Sequence, residues 1–211
     1  MRGASTSPRC SRGRPARARL DLLRRCHEIA VALGAETFSF WSGTWAPDAE
    51  PLPPPPPPRE ELLERLCVGT GALLDACAGS GVAICFEPEP GMLVASLAEL
   101  QAFLVHLQRD ELRVMLDVGH VPVTERVTAA AAVTTLVSRL GGLQLDDSRG
   151  GVHEHLLPGD GEIDWPALLA AVQASHFTGL ASVELPRHGH DAVVTARRAR
   201  DFFQRLGGLP T

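Results

Sequence analysis

Four short apolar runs decide how this chain is read, each closed by an oxygen-bearing side chain: VAICFE at 82–87, RVMLD at 113–117, GGLQ at 141–144 and LASVE at 180–184. Side chains along a strand alternate between its two faces. Glu87 therefore shares a face with Ala83 and Cys85, Asp117 with Arg113 and Met115, Gln144 with Gly142, and Glu184 with Leu180 and Ser182. The opposite face carries Val82, Ile84, Phe86, Val114, Leu116, Leu143, Leu145 and Val183, bulky enough to pack under helices. If these runs are parallel strands of a barrel, the four polar ends meet at one mouth and can hold a divalent metal. The competing reading makes each acid a cap for the helix that follows it.

Between the runs the pattern turns helical. Residues 20–33 place Leu22, Leu23, Cys26, Ile29, Ala30 and Leu33 at helical spacing, with Gly34 at the C-terminal stop. A strand is expected over 36–41. Further helices are expected over 60–78, up to 107 behind a Ser96/Glu99 capping box, over 127–140, from an Asp164 N-cap through 174, and over 191–206. Residues 146–164 read as a loop. In 46–59, APDAEPLPPPPPPR, the proline run forces an extended polyproline segment and reads as a loop within one domain, not a linker between two. Trp41 and Trp45 follow the first expected strand and could wall the mouth or fill the core.

Successive strand ends lie roughly 30 residues apart, the length of a βα repeat. The class is α/β. Five strands are found, whereas an eight-unit barrel takes about 250 residues. Three units would be lacking, with open sheet edges as the result. Either the chain is shortened, or it pairs with another copy as a homo-oligomer.

Composition narrows the chemistry. The 211 residues are 45% hydrophobic, enough for one domain with a substantial core. All 20 basic residues are Arg, and Tyr is absent as well as Lys. Schiff-base chemistry, a phosphate-loop lysine and a tyrosine acid are thereby excluded. The net charge of −5 conceals six Arg and no acid within residues 1–19, which read as a disordered Arg-rich tail ahead of the domain at 20–211. No run reaches the roughly 18 apolar residues of a membrane span, and no secretory signal pattern is visible, so a cytoplasmic protein is expected. Cys10, Cys26, Cys67, Cys77 and Cys85 form no CxxC pair and read as reduced thiols, Cys85 as a small core residue.

The motifs FEPEPG (86–91), MLDVGH (115–120), HEHLLPGDGEIDW (153–165) and SVEL (182–185) occur in an order and spacing that resemble the xylose-isomerase-like TIM-barrel superfamily. The likeness is to its sugar isomerase and epimerase branch, which includes hydroxypyruvate isomerase and tagatose 3-epimerases. It implies a partial (β/α)8 TIM barrel, N-terminally shortened to about five C-terminal βα units. It also implies metal ligands at Glu87, Asp117, Gln144 and Glu184. Gln144 stands where many relatives carry His, a departure shared with hydroxypyruvate-isomerase-like members. A set of oxygen donors suits Mn²⁺ or Mg²⁺ better than Zn²⁺.

The resemblance further implies proton transfer on a small sugar or hydroxy-carbonyl substrate through an enediolate, with Glu87 and Glu184 as the catalytic acid–base pair. His120 and His155 would contact substrate, and Arg149 would meet a carboxylate or phosphate. His188 and His190 follow Glu184 and read as rim or solvated loop. Two other readings stand beside this one. A shortened, non-catalytic relative would keep the ligands without closing the barrel. An apurinic-endonuclease-like metal hydrolase would use His153 and His155 for further zinc ions, although the acidic bulk argues against nucleic acid, whose binding is dominated by phosphate neutralisation.

Overall fold

The computed structural model describes residues 14–43 and 55–208, of which 14–16 by backbone alone. Five parallel strands form one sheet in sequence order: β1 (Thr37–Trp41), β2 (Ala83–Glu87), β3 (Arg113–Asp117), β4 (Leu140–Leu145) and, after a hairpin, β7 (Leu180–Val183). The sheet curls into a half-barrel with β1 and β7 at its edges. The crossovers are helical: α2 (Arg59–Cys77), α3 (Leu97–Leu107), α4 (Val121–Thr124) with α5 (Ala129–Leu136), and α6 (Trp165–Ala174). Helix α1 (Arg14–Ala32) precedes β1 and α7 (Ala192–Arg205) follows β7.

The alternation read from the sequence divides the molecule. Ile84, Phe86, Val114, Leu116, Leu143 and Leu145 enter the core with Leu73 and Leu74 of α2, Leu100 and Phe103 of α3, Ala132 and Val133 of α5, and Leu168 of α6. Phe86, fully buried, meets Phe40 edge-on at 5.4 Å and Phe103 at 4.7 Å. Val183 departs from this pattern. It is 40% exposed, and β7 is an edge strand of the sheet among the described residues.

Local signals set several boundaries. Ser96 accepts from the Glu99 amide while Glu99 accepts from the Ser96 amide, the expected reciprocal cap of α3. Pro58 (φ −51°, ψ 144°) keeps the polyproline conformation up to the first residue of α2. Three expectations need correction. The first helix reaches back to Arg14, so residues 14–19 are helical and not tail; the rest of that tail, with Cys10, lies outside the described residues, as does Trp45.

The helix expected over 127–140 stops at Leu136. Val114 donates to the Arg139 carbonyl, and Leu140 pairs with Val114, so the sheet claims backbone that helix propensity would have kept. Gly141 belongs to this close packing: a Cβ there would stand 2.5 Å from the Cys85 sulfur and 2.7 Å from the Arg113 Cβ. Finally, the expected loop 146–164 contains an antiparallel hairpin, β5 (Asp147–Arg149) and β6 (Val152–Leu156). Gly150 (φ 62°) and Gly151 (φ 72°) form its turn, two consecutive positive φ values that a Gly-Gly pair adopts without strain.

Replacing Phe86 by Ala should remove aromatic contacts to both Phe40 and Phe103 and cost about 3–5 kcal/mol. Urea unfolding followed by circular dichroism checks this, with an unchanged midpoint contradicting the packing described.

Candidate metal centre

The sheet brings its polar ends together. Glu87 ends β2, Asp117 ends β3 in register with Gln144 on β4, and Glu184 follows β7. Glu87, Asp117 and Glu184 each present a carboxylate oxygen within 4.8 Å of the other two. Gln144 donates its amide N–H to Glu184 Oε2, and its own Oε1 is buried without a partner. Asp117 accepts the Gly119 amide at 2.8 Å on Oδ1, while Oδ2 is buried and unpartnered. None of the four expected ligands serves as a cap for a long helix; Asp117 caps only a single 3₁₀ turn.

Burial makes this crowding costly. It drives the Glu87 carboxyl up to about 9, reinforced by the negative charges of Asp117, Glu184 and Glu89. Asp117 is likewise raised well above the usual carboxylate range, first by burial and then by Asp146 beside it. A divalent cation fits the donor set: it would neutralise the acids and occupy the lone pairs left bare on Asp117 Oδ2 and Gln144 Oε1.

A second layer surrounds these residues. His120 donates Nδ1–H to the Pro88 carbonyl at 3.1 Å, since a carbonyl can only accept. Its Nε2 is thereby left bare, 3.4 Å from Asp117 Oδ2 and 3.7 Å from Glu89 Oε2. Burial pushes the ring down to about 3, so it is neutral. His153 and His155 arrive from β6 with ring centroids 4.5 Å apart, and His153 stands 4.6 Å from His120. Asp147, fully buried, anchors this hairpin by accepting from the Ser148, Gly159 and Ile163 amides and from the Trp165 indole N–H at 2.8–3.2 Å.

Of the residues expected at the mouth, Glu87, Asp117, Gln144, Glu184, His120 and His155 are brought together. Arg149 sits exposed at the hairpin turn, its guanidinium donating to the Asp160 carbonyl at 2.8 Å. His188 and His190 flank Asp191 instead of joining the cluster. Trp41 is the register partner of Glu87 and is 45% exposed. Cys85 lies buried beneath Glu87, and burial raises its thiol to about 12, so it is inert.

Sequence reasoning passed over Glu89 and Asp146. Each lies two residues beyond an expected ligand, just past the end of its strand, where Glu89 stands near Glu87 and His120, and Asp146 near Asp117 and His155. His153 had been noted only under the nuclease reading. The HEH spacing of two was the available sign that His153 and His155 share a side of one strand.

A curled parallel sheet with helices outside and an acid-lined mouth at its C-terminal end defines a barrel-type α/β fold with a group of carboxylates that could hold a cation. A family model described as xylose isomerase-like TIM barrel matches residues 5–206, and the chain belongs to that family. Among solved structures it is similar to a D-tagatose 3-epimerase-like protein (TM-score 0.75, 18% identity, covering 98% of this chain and 76% of that one). It is also similar to the IolI protein with a zinc atom (TM-score 0.74, 19% identity, 93% and 72%). A third likeness is to D-allulose 3-epimerase from Methylomonas sp. in complex with D-allulose (TM-score 0.69, 20% identity, 88% and 68%). At these identities the likeness is one of fold. No curated protein matches the chain by sequence. Among the described residues, no helix is long and apolar enough to cross a membrane.

The raised Glu87 pKa fixes the sign of a pH effect. A carboxyl that holds its proton more tightly folded than unfolded contributes stability that is complete below the unfolded value of 4.5 and lost as pH rises through about 9. The metal-free chain should therefore lose thermal stability between those limits, and excess Mn²⁺ at pH 8 should restore it. Glu87→Gln should flatten the metal-free profile and weaken the Mn²⁺ effect; a wild-type profile that rises with pH would contradict the arrangement.

Proposed function

We propose that the chain is a divalent-metal-dependent isomerase or epimerase acting on a small ketose or related hydroxy-carbonyl compound by proton transfer. The observation that carries this reading is the convergence of Glu87 and Glu184, from strands on either side of β3 and β4, upon Asp117. Two carboxyl groups facing one substrate can remove a proton from carbon and return one. The likeness to tagatose and allulose epimerases gives the substrate class its support.

In this reading Glu87, Asp117, Gln144 and Glu184 hold Mn²⁺ or, equally suited to oxygen donors, Mg²⁺. A bound cation would supply the positive charge that polarises adjacent carbonyl and hydroxyl oxygens. Glu184, steadied by the Gln144 amide, takes the proton from the hydroxyl-bearing carbon next to the carbonyl and leaves an enediolate. Glu87 delivers a proton to the neighbouring position or the opposite face. His155, and His120 through its bare Nε2, contact substrate oxygens at the mouth. Arg149 is assigned to the rim, where it would meet a charged substituent.

A second reading draws on the three-histidine contact. His120, His153 and His155 offer ring nitrogens within 4.8 Å of one another, a group that a multi-zinc hydrolase would use. Metal content separates the two: the isomerase reading expects one ion per chain, the hydrolase reading more than one.

Incubated in deuterated water with Mn²⁺ and a panel of ketoses, the chain should introduce deuterium at a carbon next to the carbonyl. Glu184→Gln should slow that exchange by at least 10²-fold, the lower end for removal of a positioned base. Exchange at the wild-type rate in this variant would remove Glu184 from the mechanism, and no exchange with any ketose would favour a non-catalytic relative.

A further inference from the structure

We infer that Asp146 is a positioning residue whose buried carboxylate orients the imidazole of His155 toward the substrate, in a space that exists because residue 119 is glycine. Asp146 lies two residues beyond Gln144, 1% exposed, with neither carboxylate oxygen hydrogen-bonded. Its Oδ2 touches His155 Nδ1 at 2.5 Å. As the ring stands, the contact is close without being a formed hydrogen bond. A carboxylate can only accept, so the pair requires the Nδ1–H tautomer and leaves Nε2 free for a substrate oxygen.

Three features converge on this pair. His155 holds a left-handed backbone (φ 51°) within β6, a conformation side-chain-bearing residues rarely adopt. A Cβ on Gly119 would stand 2.0 Å from Asp146 Oδ1, so any other residue there would evict the carboxylate from its present place. The same glycine amide holds Asp117 Oδ1, which ties the Asp146–His155 pair to the metal centre through one peptide unit. Asp117 Oδ2 in turn lies 3.8 Å from His155 Nδ1, farther than Asp146, so Asp146 is the nearer partner of the two.

Orientation is read directly from the ring nitrogens of His155 by ¹⁵N magnetic resonance on the full-length chain, with the resonance assigned by its loss in His155→Gln. The wild type should show the Nδ1–H tautomer. Asp146→Asn, which keeps shape but removes the acceptor charge, should shift the ring toward the mixed tautomers of free imidazole, and Gly119→Ala should do the same by displacing the carboxylate while leaving its charge. An Nε2–H tautomer in the wild type, or an unchanged ring signal in a folded Asp146→Asn chain, overturns the assignment. The kinetic consequence rests on the isomerase reading: Asp146→Asn should raise KM for the turned-over ketose about tenfold with a smaller change in kcat. An unchanged KM beside measurable turnover counts against the positioning role. If no ketose is turned over while the ring signals behave as stated, the positioning stands and the isomerase reading fails.

Discussion

Phe86 and Glu87 are neighbours in sequence and lie on opposite sides of the sheet, and that alternation is the constraint on which the rest of the molecule depends. Phe86 is packed between Phe40 and Phe103, which fixes β2 against α3. With the strand so fixed, the next side chain has one place to go: inward, at the mouth. The same holds for Leu116 and Asp117 and for Leu143 and Gln144. A slip of one residue in any strand would exchange the two rows, placing carboxylates under helices and aliphatic groups at the mouth. Core packing and site geometry are thus one arrangement seen from two faces.

That arrangement stores unfavourable electrostatics. Glu87, Glu89, Asp117 and Asp146 are all raised by burial, the last two also standing against each other. Packing of the outer face offsets what the inner face costs, in the way functional sites commonly draw on the stability of their scaffold. Unpartnered lone pairs on Asp117 and Gln144, beside the His120 imidazole kept neutral by burial, form a site complementary to a cation. The hairpin carrying His153 and His155 closes one side of it and is itself held by Asp147, whose carboxylate collects four donors from the hairpin, the following loop and α6.

Much of this was legible in the residues. The positions of the five sheet strands, the cap of α3 and the placement of Glu87, Asp117 and Glu184 at strand ends follow from period-two and period-3.6 patterning joined to a few end signals. What escaped had identifiable causes. The helix over 127–140 looked continuous because Ala, Val and Leu keep an apolar stripe there, and only pairing with β3 ends it. The hairpin was hidden because β5 and β6 are short and polar, so that residues 146–164 read as a loop. Glu89 and Asp146 were missed because both lie in the chain just beyond the strand ends, where strand alternation no longer says which way a side chain faces.

The sequence by itself determined which faces of the strands are apolar, which oxygen donors end them and which chemistries lack a residue to perform them, because these depend on residue type and spacing along one element. Only the tertiary structure decided which donors share a site, which lone pairs are left bare, and that Asp146 lies against His155 in the room left by Gly119. Those outcomes depend on the curl of the sheet and the path of a hairpin. Both arise from contacts between segments far apart in the chain, which no local pattern encodes.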